Sequence, residues 1–163
     1  MSKAVLISIR PEWCEKIING RKTIEVRKTR PKKMNPPFKC YIYRSVQGGV
    51  IGEFVCDDIF ERIVQVGMSR ETPKYCLCDW NMDCTPLDGI LSDACLTLDE
   101  LETYLYGGVG YGWHISNLKI YDHPRDLWEF AALQRETEFG WEPVQITRPP
   151  QSWRYVEEEL WND

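Results

Sequence analysis

Long apolar runs are missing from this 163-residue chain. Nothing approaches the roughly 18 consecutive apolar residues that a membrane-spanning helix needs, so no membrane helix is expected. The opening Met1-Ser2-Lys3-Ala4-Val5 has no signal-peptide core or cleavage site, because charge and proline arrive by Arg10-Pro11. The expectation is a soluble, cytoplasmic chain. Histidine is scarce: His114 and His123 are the only two, neither has a sequence-local partner, and both read as structural. The seven cysteines lack any CxxC pair. Cys76, Cys78, Cys84 and Cys95 are separated by one, five and ten residues, which is no zinc-ribbon spacing. An odd count with no export signal also argues against a disulfide framework. No metal and no cofactor are expected, and the thiols, Cys14, Cys40 and Cys56 included, read as small buried hydrophobes.

What is present is a core-forming composition, 43% hydrophobic and 12% aromatic, in a length suited to one domain. The formal net charge of −5 hides a split. Residues 1–44 hold 12 basic and 3 acidic side chains, and residues 45–163 hold 8 basic and 22 acidic. Between Gly20 and Arg44 nine cations face the single acid Glu25. That front suits an anionic ligand, whereas the acidic remainder would repel a long duplex. A short single strand, a loop or one nucleotide fits better. The acidic surface is also a place for a protein partner.

Local patterns predict short elements. Residues 3–9 are β-prone. Pro11 opens a helix with Trp13, Cys14, Ile17 and Ile18 at helical spacing, stopped by Asn19-Gly20, and Trp13 reads as buried. Thr23 to Arg27 alternates as a half-buried strand. Lys28 to Phe38, with three prolines, reads as a loop. Lys39–Arg44 and Gly49–Ile59 form a hairpin, and Glu61–Val66 extends it. Residues 69–92 have no clear period and read as an irregular excursion. Thr97-Leu-Asp-Glu100 is a capping box opening a helix stopped by Gly107-Gly108. Tyr111–Tyr121 is a strand, Pro124 begins a helix through Leu127, Phe130 and Ala131 with Trp128 buried, and Trp153–Val156 is a final strand. With no internal repeat and no βαβ regularity, the class is α+β around a small curled sheet or barrel.

Gly20-Arg21-Lys22-Thr23-Ile24-Glu25-Val26-Arg27 fits the pattern G-x-K-x-x-E-x-R, preceded by a strand ending Ser8-Ile9-Arg10-Pro11 and a helix. This constellation resembles the ASCH domain of the PUA-like superfamily. Tyr41-Ile42-Tyr43, Ile51-Gly52-Glu53-Phe54 and Gly110-Tyr-Gly-Trp-His-Ile115 also look similar, and Pro149-Pro150-Gln151-Ser152-Trp153 resembles a tail of phage or prophage members. The resemblance covers about residues 4–130, leaving 131–163 as a C-terminal extension of one domain. It implies a small β-barrel of about five to seven strands with flanking short helices. It also implies a cleft in which the motif lysine faces RNA or a nucleotide.

The motif has its own chemistry. Gly20 permits a sharp helix-to-strand turn. Lys22 is a mobile cation, Glu25 can accept from a base edge or activate a water, and Arg27 offers a planar fork for phosphate or carboxylate. Residues three apart on a regular strand point to opposite faces. Lys22 and Glu25 therefore share a cleft only if Lys22 precedes the regular strand or the strand bulges. The expected nucleic-acid contacts are Arg10, Gly20, Arg21, Lys22, Glu25 and Arg27, the loop cations Lys28, Arg30, Lys32 and Lys33, and Tyr43, Arg44 and Trp113. Aromatic rings there would stack on bases.

Three functions follow. The first is a nucleic-acid-binding module. The second is a metal-independent hydrolase on RNA or a modified nucleoside, with Lys22 and Glu25 as the catalytic pair. The third is a non-catalytic interaction domain. The resembling family includes acetylcytidine deacetylases and ribonucleases, but the deacetylase group has a threonine nucleophile where Glu25 stands. Its acidic residue before the second helix aligns with Ala94, next to Asp93. Covalent acyl chemistry is not expected.

Overall fold

The computed structural model describes residues 2–66, 74–78 and 84–159. Strand β1 (Lys3–Ile9) is buried on both faces, as its nearly unbroken apolar run requires. Val5, Ile7 and Ile9 join one core with Cys14 and Ile17, while Ala4 and Leu6 join another with Tyr41, Phe130 and Val156. Helix α1 (Pro11–Ile18) opens on Pro11 and ends where Gly20 turns the chain at φ +80. Strand β2 (Ile24–Arg27) follows, then β3 (Phe38–Arg44), parallel to β1, and the 17-residue β4 (Val50–Val66). The predicted hairpin is this β3–β4 pair, with Glu61–Val66 continuing β4.

Where it is described, the stretch 69–92, expected to be irregular, forms regular elements. Its described backbone holds two short paired strands, β5 (Lys74–Cys78) and β6 (Cys84–Pro86), and the start of α2 (Asp88–Ala94). The side chains of Cys76, Cys78 and Cys84, and any clustering of them, lie outside the described residues. Cys14, Cys40 and Cys56 are buried, as expected of small hydrophobes, whereas Cys95, expected to be buried too, is half-buried at the end of α2.

Helix α3 (Leu98–Leu105) carries the predicted capping box: Thr97 Oγ1 accepts from the Glu100 amide, and the Thr97 amide donates to Glu100 Oε1. Strand β7 (Gly110–Arg125) runs past its predicted end through Pro124. The helix expected there is replaced by a single 3₁₀ turn, Leu127–Glu129, leading into β8 (Ala131–Thr137). The Leu127/Phe130 spacing that reads as helical belongs to one capped turn. Asp126 and Glu129 close it reciprocally, and Phe130 is then drawn extended into the core. Trp128, expected to be buried, is 62% exposed on that turn. A further hairpin joins β8 to β9 (Gly140–Gln145), and β10 (Trp153–Glu157) returns antiparallel to β1.

Among the described residues ten strands join one sheet, its main path running β2–β7–β4–β3–β1–β10–β8–β9, with β5 and β6 branching from β4. The class is α+β, but the expected closed barrel of five to seven strands is corrected to this larger, open sheet. Among the described residues the end strands of this path pair on one side only, β2 with β7 and β9 with β8, so the sheet does not close on itself. Curvature comes instead from the long β4–β7 pair, whose register shifts at four places. Each shift bends the strands and increases their twist. Gly52 sits in this pair where a Cβ would stand 2.5 Å from the Lys119 carbonyl oxygen. Among the described residues, no helix is long and apolar enough to cross a membrane.

Candidate functional site

Backbone contacts fix the motif before its side chains act. After Gly20, the Lys22 amide donates to the Lys16 carbonyl, and the Thr23 amide donates to the Asp93 carbonyl near the end of α2. Strand β2 then pairs with β7 from Ile24 opposite His114 to Arg27 opposite Tyr111. Ile24 and Val26 pack with Leu87, Ala94, Leu101 and Leu105 of the helical side. Strand alternation places Glu25 and Arg27 on the other face.

Lys22 lies before the regular strand and so escapes that alternation. Its ammonium sits 3.2 Å from Glu25 Oε2 and donates to the Ala94 carbonyl at 2.6 Å. That carbonyl ends α2, where a helix carries partial negative charge. Arg27 donates to Glu25 Oε1 from Nε at 3.0 Å, and its Nη2 lies 2.9 Å from the same oxygen. Arg27 also donates to the Ser8 carbonyl at 2.6 Å and to Ser152 Oγ at 3.2 Å. Lys22, Glu25 and Arg27 are 2%, 7% and 8% exposed. Glu25 and Arg27 thus form the same-face pair that their i,i+2 spacing allows, but as part of a buried triad rather than a solvated bridge. Two cations around one carboxylate leave a net positive charge in a place of low dielectric, where it acts strongly.

The triad lines a cleft of about 1040 Å³. Three aromatic residues contribute to its walls: Trp13 from α1, Tyr43 from β3 and Tyr104 from α3. Lys22 Nζ stands 5.1 Å from the Trp13 ring centre and Lys28 Nζ 5.0 Å from that of Tyr104. Burial raises the Tyr104 phenol above its ordinary range, outweighing nearby Arg27, so its hydroxyl stays protonated. The segment Pro149–Ser152 supplies another wall, tied down by Ser8, whose Oγ donates to the Pro150 carbonyl at 2.6 Å. Asp99 and Glu100 at the start of α3 make one side acidic.

Of the residues expected to bind, Arg10, Lys22, Glu25, Arg27, Lys28 and Tyr43 line this cleft, and the others do not. Gly20 and Arg21 are exposed on the turn before it. The loop cations are largely neutralised. Arg30 pairs with Glu61, Lys33 with Glu136 at 2.8 Å, and Lys39 with Glu53 at 3.4 Å and Glu158 at 3.8 Å. Lys32 is exposed, its amide and that of Lys33 donating to the Tyr155 hydroxyl. Arg44 lies outside the lining, with a buried Nε lacking a hydrogen-bond partner. Trp113 is corrected from ligand platform to core: it is fully buried between Phe38 and Trp153, its Nε1 donating to the Thr29 carbonyl. His114 does have a partner, Asp57, with Nδ1 2.6 Å from Oδ1, supplied by the neighbouring strand.

Helical spacing assigned Trp13 to the core, against which it packs, but not to the cleft it also lines, and sequence reasoning missed Tyr104 and Pro149–Ser152. No local pattern marks the last two, because the sheet brings them in from distant segments.

Residues 7–87 match the family model of the ASCH domain. The matched segment contains the whole triad, whereas Tyr104 and Pro149–Ser152 lie beyond it. Three solved structures of ASCH from Zymomonas mobilis are similar in fold. The protein itself shares 16% identity over 95% of this chain and 88% of that one, with a TM-score of 0.57. A tyrosine-to-phenylalanine mutant shares 16% over 96% and 92%, at 0.56. A serine-to-alanine mutant shares 18% over 95% and 89%, at 0.53. At these identities the likeness is one of fold. None of the curated proteins matches this chain.

Proposed function

We propose that this chain, which carries an ASCH domain, binds a short single strand of RNA or a single nucleotide in the cleft above the Lys22–Glu25–Arg27 triad. The observation that supports this most is the meeting of aromatic surface and cations in one concavity. Trp13, Tyr43 and Tyr104 share the cleft with Arg10 and Lys28, and among the described residues no carboxylate pairs with either of these two cations. Rings stack on bases while cations track phosphates, the usual combination for single strands. The volume of about 1040 Å³ is at the upper end of the roughly 300–1,000 Å³ of ligand clefts, enough for a nucleotide and part of its neighbour. The acidic remainder of the chain disfavours a duplex.

The triad's part is to organise the site. Glu25 orients both cations, so that Lys22 and Arg27 present fixed positive charge beneath the ligand. The test is fluorescence anisotropy with labelled single-stranded RNA of about four nucleotides, the matched duplex and mononucleotides. Single strands binding at least tenfold more tightly than the duplex support the reading; equal or tighter duplex binding sinks it.

One observation favours a second, hydrolytic reading: Lys22 and Glu25 converge within 3.2 Å in the same cleft. There Lys22 would donate to a developing negative charge and Glu25 would hold a water. Turnover of RNA or acetylcytidine, lost in a folded Lys22→Ala variant, would promote it. Binding without turnover keeps the first reading.

A further inference from the structure

The turn joining β3 to β4 holds backbone strain that the fold does not use. The Gln47 amide donates to the Ser45 carbonyl at 2.7 Å, closing a three-residue turn whose central residue, Val46, has φ +68. A γ-turn with positive φ is rare and strained, and a β-branched residue in that region is an outlier. The same connection contains Gly48 at φ +82 and Gly49 at φ +87, which take such angles freely. Gly49 also has a packing reason, since a Cβ there would stand 2.8 Å from Pro124 Cβ. Val46 has none. It is 94% exposed and belongs to none of the buried clusters. It does line the cleft, close in sequence to Tyr43 and Ser45. Strain concentrated at a ligand-facing rim, with an apolar side chain held out in solvent, is characteristic of a functional position.

We propose that Val46 is a base-contacting residue, its isopropyl group covering a nucleobase seated in the cleft while Arg10 and Lys28 hold the phosphates. This rests on the cleft being a single-strand or nucleotide site and adds which part of the ligand the turn reads. An apolar, neutral group contributes nothing to phosphate binding, so its effect is confined to the base.

The experiment compares two probes, a labelled single-stranded RNA tetramer and an abasic oligonucleotide of the same length, against three proteins: wild type, Val46→Gly, and Arg10→Ala/Lys28→Ala. Val46→Gly should bind the RNA roughly tenfold more weakly, as expected for losing a buried valine contact, and the abasic strand within about twofold of wild type. Its Tm should be unchanged or raised by about 2–4 °C, relief of the turn being offset by the freer unfolded glycine. The double variant should weaken on both probes. Unchanged RNA affinity in Val46→Gly, equal loss on both probes, or a lowered Tm would overturn the assignment while leaving the cleft reading intact. Failure of wild type to bind either probe would overturn both.

Discussion

The Lys22 ammonium lies 3.2 Å from Glu25 Oε2 even though the two residues are three apart at the mouth of a strand. The geometry holds because Lys22 still belongs to the turn, its amide bonded back to Lys16, while Glu25 is already in the β2 ladder. A carboxylate flanked by Lys22 and Arg27 is then the keystone of a buried group, and removing it leaves two desolvated cations facing each other.

Glu25→Ala should therefore cost about 3–5 kcal/mol of stability, the usual penalty for breaking a buried ionic cluster by one member. In a chain of this size each kcal/mol moves Tm by roughly 2–4 °C, so thermal melts should show a fall on the order of 10 °C. A loss below about 1 kcal/mol would place the triad in solvent.

The basic loop should matter less than its composition suggests. Arg30, Lys33 and Lys39 are each engaged by carboxylates. A triple Arg30→Ala/Lys33→Ala/Lys39→Ala variant should leave affinity for a short single strand within about twofold of wild type, because already-paired cations release few counterions on binding. Anisotropy titrations check this, and a tenfold loss would return the loop to the binding surface.

Stability should fall on the alkaline side. Burial pushes the Cys14 and Cys56 thiols from 9.0 to about 12, and raises Cys40 well above its ordinary value. Burial likewise raises the Tyr41 and Tyr121 phenols, Tyr121 also donating to Glu53. A raised folded pKa means that the native state keeps a proton the unfolded chain gives up. The thiols' contribution is thus complete below pH 9 and is lost progressively from pH 9 to about 12. Urea midpoints should be flat from pH 7 to 8.5 and decline above that. The same thiols should resist alkylation in the folded protein at pH 8, since the thiolate is the reactive form.

Gly52→Ala should destabilise by about 1–3 kcal/mol through overpacking, as its new methyl would stand 2.5 Å from the Lys119 carbonyl oxygen in the β4–β7 pair. Denaturant unfolding checks this, and a neutral result would mean that the two strands slide apart more easily than their bulged register implies.

The local parts of this architecture were legible in the sequence. The Gly20 stop and the capping box at Thr97 are short-range chemistry, and each stands where it reads. Thr23–Arg27 holds a strand as its alternation predicts, but Ile24–Arg27 is buried at every position rather than half-buried, because Glu25 and Arg27 close into the triad. The helix expected after Pro124 failed because Leu127 and Phe130, three apart, suit one 3₁₀ turn as well as a helix, and tertiary packing of Phe130 decided between them. Trp113, expected at the ligand, lies in the core, and Trp13, expected in the core, packs against that core and lines the cleft as well. Periodicity says which residues share a face, not whether that face meets a core or a cleft. The loop's nine-to-one charge count misled because the partners of Arg30, Lys33 and Lys39 come from 31, 103 and 14 or more residues away in sequence, joined only by the sheet.

In the proposed complex Arg10 and Lys28, which pair with no carboxylate among the described residues, grip the phosphates of a short single strand. The salt dependence of RNA tetramer binding tests this grip most directly. Each single-strand phosphate neutralised contributes about −0.7 to the slope of log affinity against log salt. Arg10→Ala/Lys28→Ala should therefore bind more weakly and with a slope shallower than wild type by about 1.4. A double variant with the wild-type slope would contradict the account.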